Sequence, residues 1–338
     1  MTYRIAINGF GRIGRNFLRR LTAKDMVNSG LRVVAINDLY DTATLAHLLE
    51  YDSTFGRLDA EVGRDDDQLI VGWHRIPTFA SRTPDTLPWG ELGVDLVIEA
   101  TGKLRARHDA ALHLKAGAGR VLISAPGKEA DATLVPGVNA DTFDPAEHLV
   151  VSAASCTTNC VAPLVKVLHE AFGIERGYLT TVHAYTNDQN VLDAPHKDAR
   201  RARAAAVNII PTSTGAAKAV GLVLPELDGK LDGVALRVPV VDGSISDLTL
   251  TFAEEVTPER INEAVAAAAA GPMHGIIRYT EAPLVSTDVV GDPASCVFDA
   301  RLTQAQGTLA KVFGWYDNEW GYTNRLLDLT RLMADARA

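Results

Sequence analysis

Residues 3–21 read YRIAINGFGRIGRNFLRRL, and the fold is decided there. A short β-branched run, YRIAIN, gives way to a helical pattern, RNFLRRLTA, and between them Gly9, Gly11 and Gly14 form G-x-G-x-x-G around Arg12 and Ile13. Glycines at that spacing permit a tight turn and let a ligand approach the backbone, while the start of the helix offers N–H groups and a partial positive charge to a pyrophosphate. The next strand-like run, LRVVAIND, ends in Asp38, whose carboxylate can accept hydrogen bonds from an adenosine ribose and would repel a 2′-phosphate. The LYD that closes this turn brings no compensating arginine, so NAD is the expected cofactor and NADP the weaker alternative. A glycine turn followed by an ordinary surface aspartate would leave the coincidence of strand, helix and acid unexplained.

Outward from this stretch, β-branched runs and helical patterns alternate through TATLAHLLE, VDLVIEATG, RHDAALHLKAG, RVLISAP and LVVSAAS, which predicts an α/β, Rossmann-like domain with a doubly wound parallel sheet. Between residues 61 and 84 the pattern becomes hairpin-like. After Cys160 it changes again: one helix with Val161, Leu164, Val165 and Leu168 on a single face, then long strand runs GYLTTVHAY, GVALRVPVV, SISDLTLTFA, GIIRYTE and TLAKVFGWYD, which predict an α+β domain with a largely antiparallel sheet. The 338 residues exceed the ~250–300 at which one core stops growing. The expected domains are therefore 1–155, completed by an amphipathic C-terminal helix at 322–338, and 156–321, which contains a long polar loop at about 186–211 of the kind that is usually functional or packed on a partner.

Apolar residues make up 47% and charged residues 22% of the chain, an ordinary globular composition, and the net charge of −9 opposes binding to nucleic acid or an anionic membrane. The N-terminal residues lack a charged region followed by an apolar stretch and a cleavage site, and no segment is long enough to span a bilayer. Three cysteines make no disulfide framework, which points to a reducing, cytoplasmic setting.

Two of those cysteines stand in Ser155-Cys156-Thr157-Thr158-Asn159-Cys160, at the junction of a strand and a helix. A thiol at a helix start meets free N–H groups that favour its thiolate, and hydroxyls and an amide are poor company for an inert core residue. Cys156 is thus the candidate nucleophile and His183, in TTVHAYTND, the candidate base. Cys160 and Cys296 read as small buried residues. Structural zinc sites pair one cysteine doublet with a second close doublet, and with none here no metal is expected.

INGFGRIGR, SCTTNC, TVHAYTNDQ, HKDARRARAAAVNIIPTSTGAAKAV, ALRVP and WYDNEWGYTNR, collinear from the N-terminus to the last helix, together resemble phosphorylating glyceraldehyde-3-phosphate dehydrogenase. The resemblance implies that Cys156 adds to an aldehyde, His183 takes the proton, a hydride passes to NAD, and inorganic phosphate releases the resulting thioester. It assigns Thr186 and Arg237 to the substrate phosphate, and Ser155, Thr157, Arg201, Thr214 and Gly215 to inorganic phosphate. Arg12 and Ile13 match positions beside the pyrophosphate, Asn318 matches the residue that fixes the nicotinamide carboxamide, and Arg82 and Ser124 join the cofactor set. The long polar loop matches a segment that packs near a neighbour's cofactor in a homotetramer. The chain departs from the commoner forms of the family at Ala194-Pro195, where strict NAD users carry Leu-Pro, at RVPVVDGS in place of RVPTPNVS, and at EATG in place of ESTG. The competing expectations are an erythrose-4-phosphate dehydrogenase, whose histidine segment reads differently, and a non-catalytic NAD-binding regulator, which would have no need of both Cys156 and His183.

Overall fold

The computed structural model describes residues 2–26 and 29–336. The chain divides into two compact units, one of residues 1–134, 141–154 and 323–338, the other of residues 135–140 and 155–322. Strand and helix patterning gave no reason to separate 135–140 from its neighbours, but Gly137 approaches Met273 and Ile276 of the second unit, where a Cβ would meet both side chains at 3.2 Å.

The first unit runs β1 (Tyr3–Asn8), α1 (Arg12–Leu21), β2 (Leu31–Asn37), α2 (Thr42–Glu50), β3 (Val62–Arg64), β4 (Gln68–Val71), β5 (His74–Phe79), β6 (Leu96–Glu99), α3 (Arg107–Ala110), α4 (Leu112–Lys115), β7 (Arg120–Ile123), β8 (Ala132–Thr133) and β9 (Val150–Ser152). These strands form one sheet in the order β3-β4-β5-β2-β1-β6-β7-β9-β8. Every pair from β5 through β8 is parallel, and only the β3–β4 and β4–β5 pairs, in the hairpin-like stretch, are antiparallel. Ile5, Ile7, Leu96, Val97, Ile98, Val121 and Leu122 are wholly buried, because a parallel sheet covered on both faces needs continuous apolar runs. β1 stands between β2 and β6, so the strand order reverses beside it, the place where open α/β sheets bind ligands. RHDAALHLKAG, read as one helix, is two short ones meeting at Ala111.

The second unit contains α5 (Cys156–Phe172), β10 (Ile174–Ala184), β11 (Ile210–Ser213), α6 (Ala216–Val223), β12 (Leu231–Val238), β13 (Ser244–Phe252), α7 (Pro258–Ala270), β14 (Ile277–Thr280), β15 (Cys296–Asp299), β16 (Gln304–Gln306), β17 (Leu309–Tyr316) and the start of α8 (Trp320–Asp335). Its sheet has the order β11-β12-β10-β13-β17-β15-β14, with β16 on β17, and is mostly antiparallel; β10–β12 and β14–β15 run parallel. β13 alternates strictly between buried and half-buried residues, as expected of strands with one face on a core. α5 supplies that core with Val161, Leu164, Val165 and Leu168, each at most 1% exposed, and packs across β10, β13, β15 and β17. In the parallel β10–β12 pair, His183 stands directly opposite Arg237.

Candidate active site

The start of α5 is built by its own polar residues. Ser155 is the N-cap: its Oγ accepts from the Thr158 N–H at 3.0 Å and shares a hydrogen bond with the Thr158 hydroxyl at 2.7 Å. Asn159 donates from its side chain to the Ser155 carbonyl at 2.9 Å. Ala154, one residue earlier, is held at φ 57°, a left-handed conformation that ordinarily costs a non-glycine residue about 1–2 kcal/mol. This turn sets half-buried Cys156 at the first helical position, with Sγ 3.4 Å from His183 Nε2.

Burial favours the neutral form of both groups. Burial pushes the Cys156 thiol up; the Arg237 guanidinium and hydrogen bonds from Thr157 pull against it. Burial, with Arg237 beside it, lowers His183 to about 3. His183 Nδ1 lies 2.7 Å from the Ala184 carbonyl and 2.5 Å from Arg237 Nη1, which itself donates to Ala184 O at 3.0 Å. Nδ1 cannot serve both neighbours. A proton on Nδ1 bonds the carbonyl and leaves the Nε2 lone pair facing the thiol; a lone pair on Nδ1 accepts from Arg237 and turns Nε2–H toward the sulfur.

The residues assigned to anions fall into three groups. Arg237 is mostly buried, and the charges of Arg201 and Asp188 both act on it, so the 186–211 loop brings a second guanidinium toward the first. Arg201 is ion-paired with Asp188 and lies 3.5 Å from Asp198, while Thr186 donates from its backbone to Gln189 at 3.3 Å. Gly215 is the exposed residue before α6, with open space where a Cβ would stand, and the Thr214 hydroxyl accepts from the Ala216 N–H at 3.1 Å. Ser155 and Thr157, by contrast, have committed hydroxyls: Thr157 Oγ1 bonds Tyr316 Oη at 2.9 Å.

In the first unit the glycine motif forms the loop between β1 and α1. Gly9 has φ 92° and a Cβ on it would lie 2.6 Å from Thr101 N, and a Cβ on Gly14 would lie 2.2 Å from Gly9 O, so neither position tolerates a side chain. At Gly11 a Cβ would meet nothing within 4 Å, and Gly11 caps α1 with no side-chain hydrogen bond, which leaves open space at a helix start, the kind of place where an anionic ligand can approach the backbone. Asp38 Oδ2 accepts from the Phe10 N–H at 2.7 Å and so tethers this loop. Arg12 is ion-paired with Asp52, Arg82 is exposed, and Ser124 donates from its hydroxyl to Glu99 O at 3.1 Å. These features fit a dinucleotide.

Comparison with known proteins identifies the family for both units. Residues 3–107 match the family model of the glyceraldehyde 3-phosphate dehydrogenase NAD binding domain, and residues 155–318 that of its C-terminal domain. The chain belongs to the glyceraldehyde-3-phosphate dehydrogenase family. It is 57% identical over 335 residues to glyceraldehyde-3-phosphate dehydrogenase 1 of Streptomyces avermitilis, covering 99% of both chains. It is 58% identical to the enzyme of that name from Streptomyces coelicolor over 332 residues and 98% of both chains, and 56% identical to that of Geobacillus stearothermophilus over 335 residues and 99% of both. NAD is accordingly the cofactor, and neither the erythrose-4-phosphate nor the regulator reading is favoured.

Several residues that bond to the candidate site residues or lie next to the glycine loop escaped the sequence reading. Tyr316 is buried; its hydroxyl bridges Thr157 and Thr181, the latter at 2.8 Å, and its ring meets His183 edge-on at 5.9 Å. Burial keeps that hydroxyl protonated by raising it well above its usual value. Ser244 donates to Asn318 Oδ1 at 2.7 Å and fixes the amide. Beneath the glycine loop, Trp89 Nε1 donates to His113 Nδ1 at 2.9 Å, so His113 carries its proton on Nε2, 3.1 Å from Glu99 Oε2, which also accepts from Asn8 at 2.5 Å. Tyr316 stands two residues before Asn318 in WYDNEW, and that adjacency was the only available signal. Cys160 and Cys296 are fully buried, with both sulfurs close to where a Cβ on Gly314 would stand, and among the described residues no cluster of ligands could hold a metal.

Proposed function

We propose that this chain oxidises D-glyceraldehyde 3-phosphate with NAD and inorganic phosphate to 1,3-bisphosphoglycerate, using Cys156 as nucleophile and His183 as base. The 3.4 Å approach of Cys156 Sγ to His183 Nε2 at a helix start carries this reading. The sulfur bonds the aldehyde carbon, its proton passes to Nε2 and from there to the former carbonyl oxygen, which becomes the hydroxyl of a hemithioacetal and leaves His183 neutral again. His183 then removes that hydroxyl proton as the carbon gives up a hydride. NAD supplies the hydride acceptor, and the glycine loop with Asp38 and the 12–13 helix start would hold it. The acyl group stays on Cys156 as a thioester until phosphate attacks its carbonyl and the sulfur leaves. The backbone N–H of Cys156 and His183 Nε2–H are the donors for the oxyanion at each addition.

Arg237 suits the substrate's phosphate. When that phosphate occupies the guanidinium, His183 Nδ1 is left to donate to the Ala184 carbonyl, the tautomer in which Nε2 accepts the thiol proton. Arg201, Thr214 and Gly215 suit inorganic phosphate, joined at the helix start by Ser155 and Thr157, and Thr186 suits the substrate. The 186–211 loop exposes Val191, Leu192, Val207 and Ile209 at 68–79%, which suits burial against another copy in a homotetramer. Three free thiols suit the cytoplasm.

Initial rates of NADH formation test the assignment. Turnover should require the triose phosphate and inorganic phosphate and should prefer NAD to NADP; comparable turnover of erythrose 4-phosphate without a phosphate requirement would overturn it.

A further inference from the structure

Two carboxyl groups lie face to face in the second unit, outside the cysteine chemistry. β13 and β17 pair antiparallel with Ser244 opposite Tyr316, and just beyond that pair the side chains of Asp242 and Asp317 meet. They are 3% and 1% exposed. Asp317 is held as a carboxylate by three donors and keeps one acceptor site on Oδ2: Oδ1 accepts from the N–H groups of Glu319 at 2.8 Å and Trp320 at 2.6 Å, and Oδ2 from Gly291 N–H at 2.7 Å. Asp242 Oδ1 accepts from Gly243 N–H at 2.8 Å, whereas its Oδ2 is buried with no donor. Among the described residues the charges that act most strongly on Asp242 are those of Asp317 and Glu319, both negative; Asp292, next to Gly291, is paired with Arg278 at 2.7 Å, and Asp242 in turn acts on the Cys156 thiol. Two touching carboxylates without a cation cannot both ionise. The segment RVPVVDGS also places this carboxyl where RVPTPNVS has an amide, a side chain that brings its own hydrogens.

We propose that Asp242 retains its proton, donates it from Oδ2 to Asp317, and by this shared proton acts as a positioning residue for Asn318. Asp242 with Asp317 and Ser244 with Asn318 are two rungs of one clasp that joins the start of β13 to the end of β17. Asp317 also anchors the N-terminus of α8, so the clasp fixes both sides of Asn318. Burial and the neighbouring carboxylate push Asp242 up to about 9, so the clasp is closed at neutral pH and opens in the alkaline range. The catalytic consequence rests on the reading of Asn318 as the nicotinamide ligand.

The test uses the full-length enzyme in two arms. In infrared spectra the wild type should show a carboxylic-acid carbonyl band at neutral pH that disappears as the pH passes about 9 and is missing from Asp242→Asn. In kinetics the KM for NAD of the wild type should rise about tenfold or more over the same range with a smaller change in kcat, Asp242→Asn should hold KM level, and Asp242→Leu, without a donor, should raise it at every pH. Identical infrared spectra for wild type and Asp242→Asn would overturn the shared proton itself. A band that titrates while KM does not move would overturn the positioning role, and Asn318→Ala then identifies the cause: an unchanged KM in that variant means that the reading of Asn318 failed, a raised one that the clasp does not govern it.

Discussion

Burial dominates at the Cys156 thiol and pushes it up, and three neighbours act together against burial: the α5 N-terminus, Thr157 and the Arg237 charge. Replacing Arg237 with alanine should therefore slow alkylation of Cys156 severalfold at a fixed pH and move its midpoint upward, along with a higher KM for the sugar phosphate; an unchanged alkylation profile would remove Arg237 from the thiol's environment. Cys160 and Cys296, wholly buried, should label far more slowly than Cys156 in either protein. His183→Asn should lower kcat by roughly 10²–10⁴, the range general base catalysis contributes, with a smaller effect on KM. The sequence named Cys156 and His183 because both residue types carry chemistry wherever they stand. It did not name Tyr316, whose hydroxyl bonds two threonines that lie far from it along the chain and from each other. A tyrosine in an alternating strand looks like any other core aromatic, and only the packing of α5 over β10 and β17 brings its partners to it.

At the level of elements, local patterns reported types well and neighbours poorly. β1, the glycine turn and α1 were legible because strand, turn and helix each leave a pattern within a few residues. The parallel β10–β12 pairing, which sets His183 opposite Arg237 inside a mostly antiparallel sheet, leaves none, since period-two alternation fixes a strand's face and not its partner. The polar residues of SCTTNC are spent largely on the helix start itself. Ser155→Ala should accordingly destabilise the protein by about 1 kcal/mol, measured by urea denaturation, before any effect on phosphate is considered. At the α1–α2 end, burial raises Asp52, but Arg12 and the N–H groups of Phe55 and Thr54 outweigh it and hold the carboxyl below its usual value. Its contribution is present above the unfolded carboxylate value and disappears as the pH falls through the folded one. Asp52→Asn should cost about 1–3 kcal/mol at neutral pH and progressively less on acidification below about pH 4. Asp242 has the opposite sign: with a folded value of about 9 against 3.8, the unfolded state sheds a proton that the folded state keeps, so stability falls as the pH rises between the two. Asp242→Asn should remove that slope.

For the whole molecule, the split into an α/β unit and an α+β unit follows from the change in pattern after Cys160, and the comparisons extend it over nearly the full length. The matches to the relatives cover 98–99% of the chain and so take in both units. Light scattering should give a particle of four chains, and charged replacements of Val191 and Ile209 should reduce it; a monomer in the unmodified protein would contradict the tetramer. NAD at about 100 times its Kd should stabilise the fold by about 2.7 kcal/mol, read as a higher Tm, and NADP at the same concentration should do less because of Asp38. The proposed reaction requires covalent chemistry at one sulfur. Mass spectrometry of the protein mixed with glyceraldehyde 3-phosphate and oxidised NAD, with inorganic phosphate withheld, should show an acyl group on Cys156 that disappears when phosphate is added and never forms in Cys156→Ser. An unmodified Cys156 under those conditions, together with normal turnover by Cys156→Ser, would contradict it.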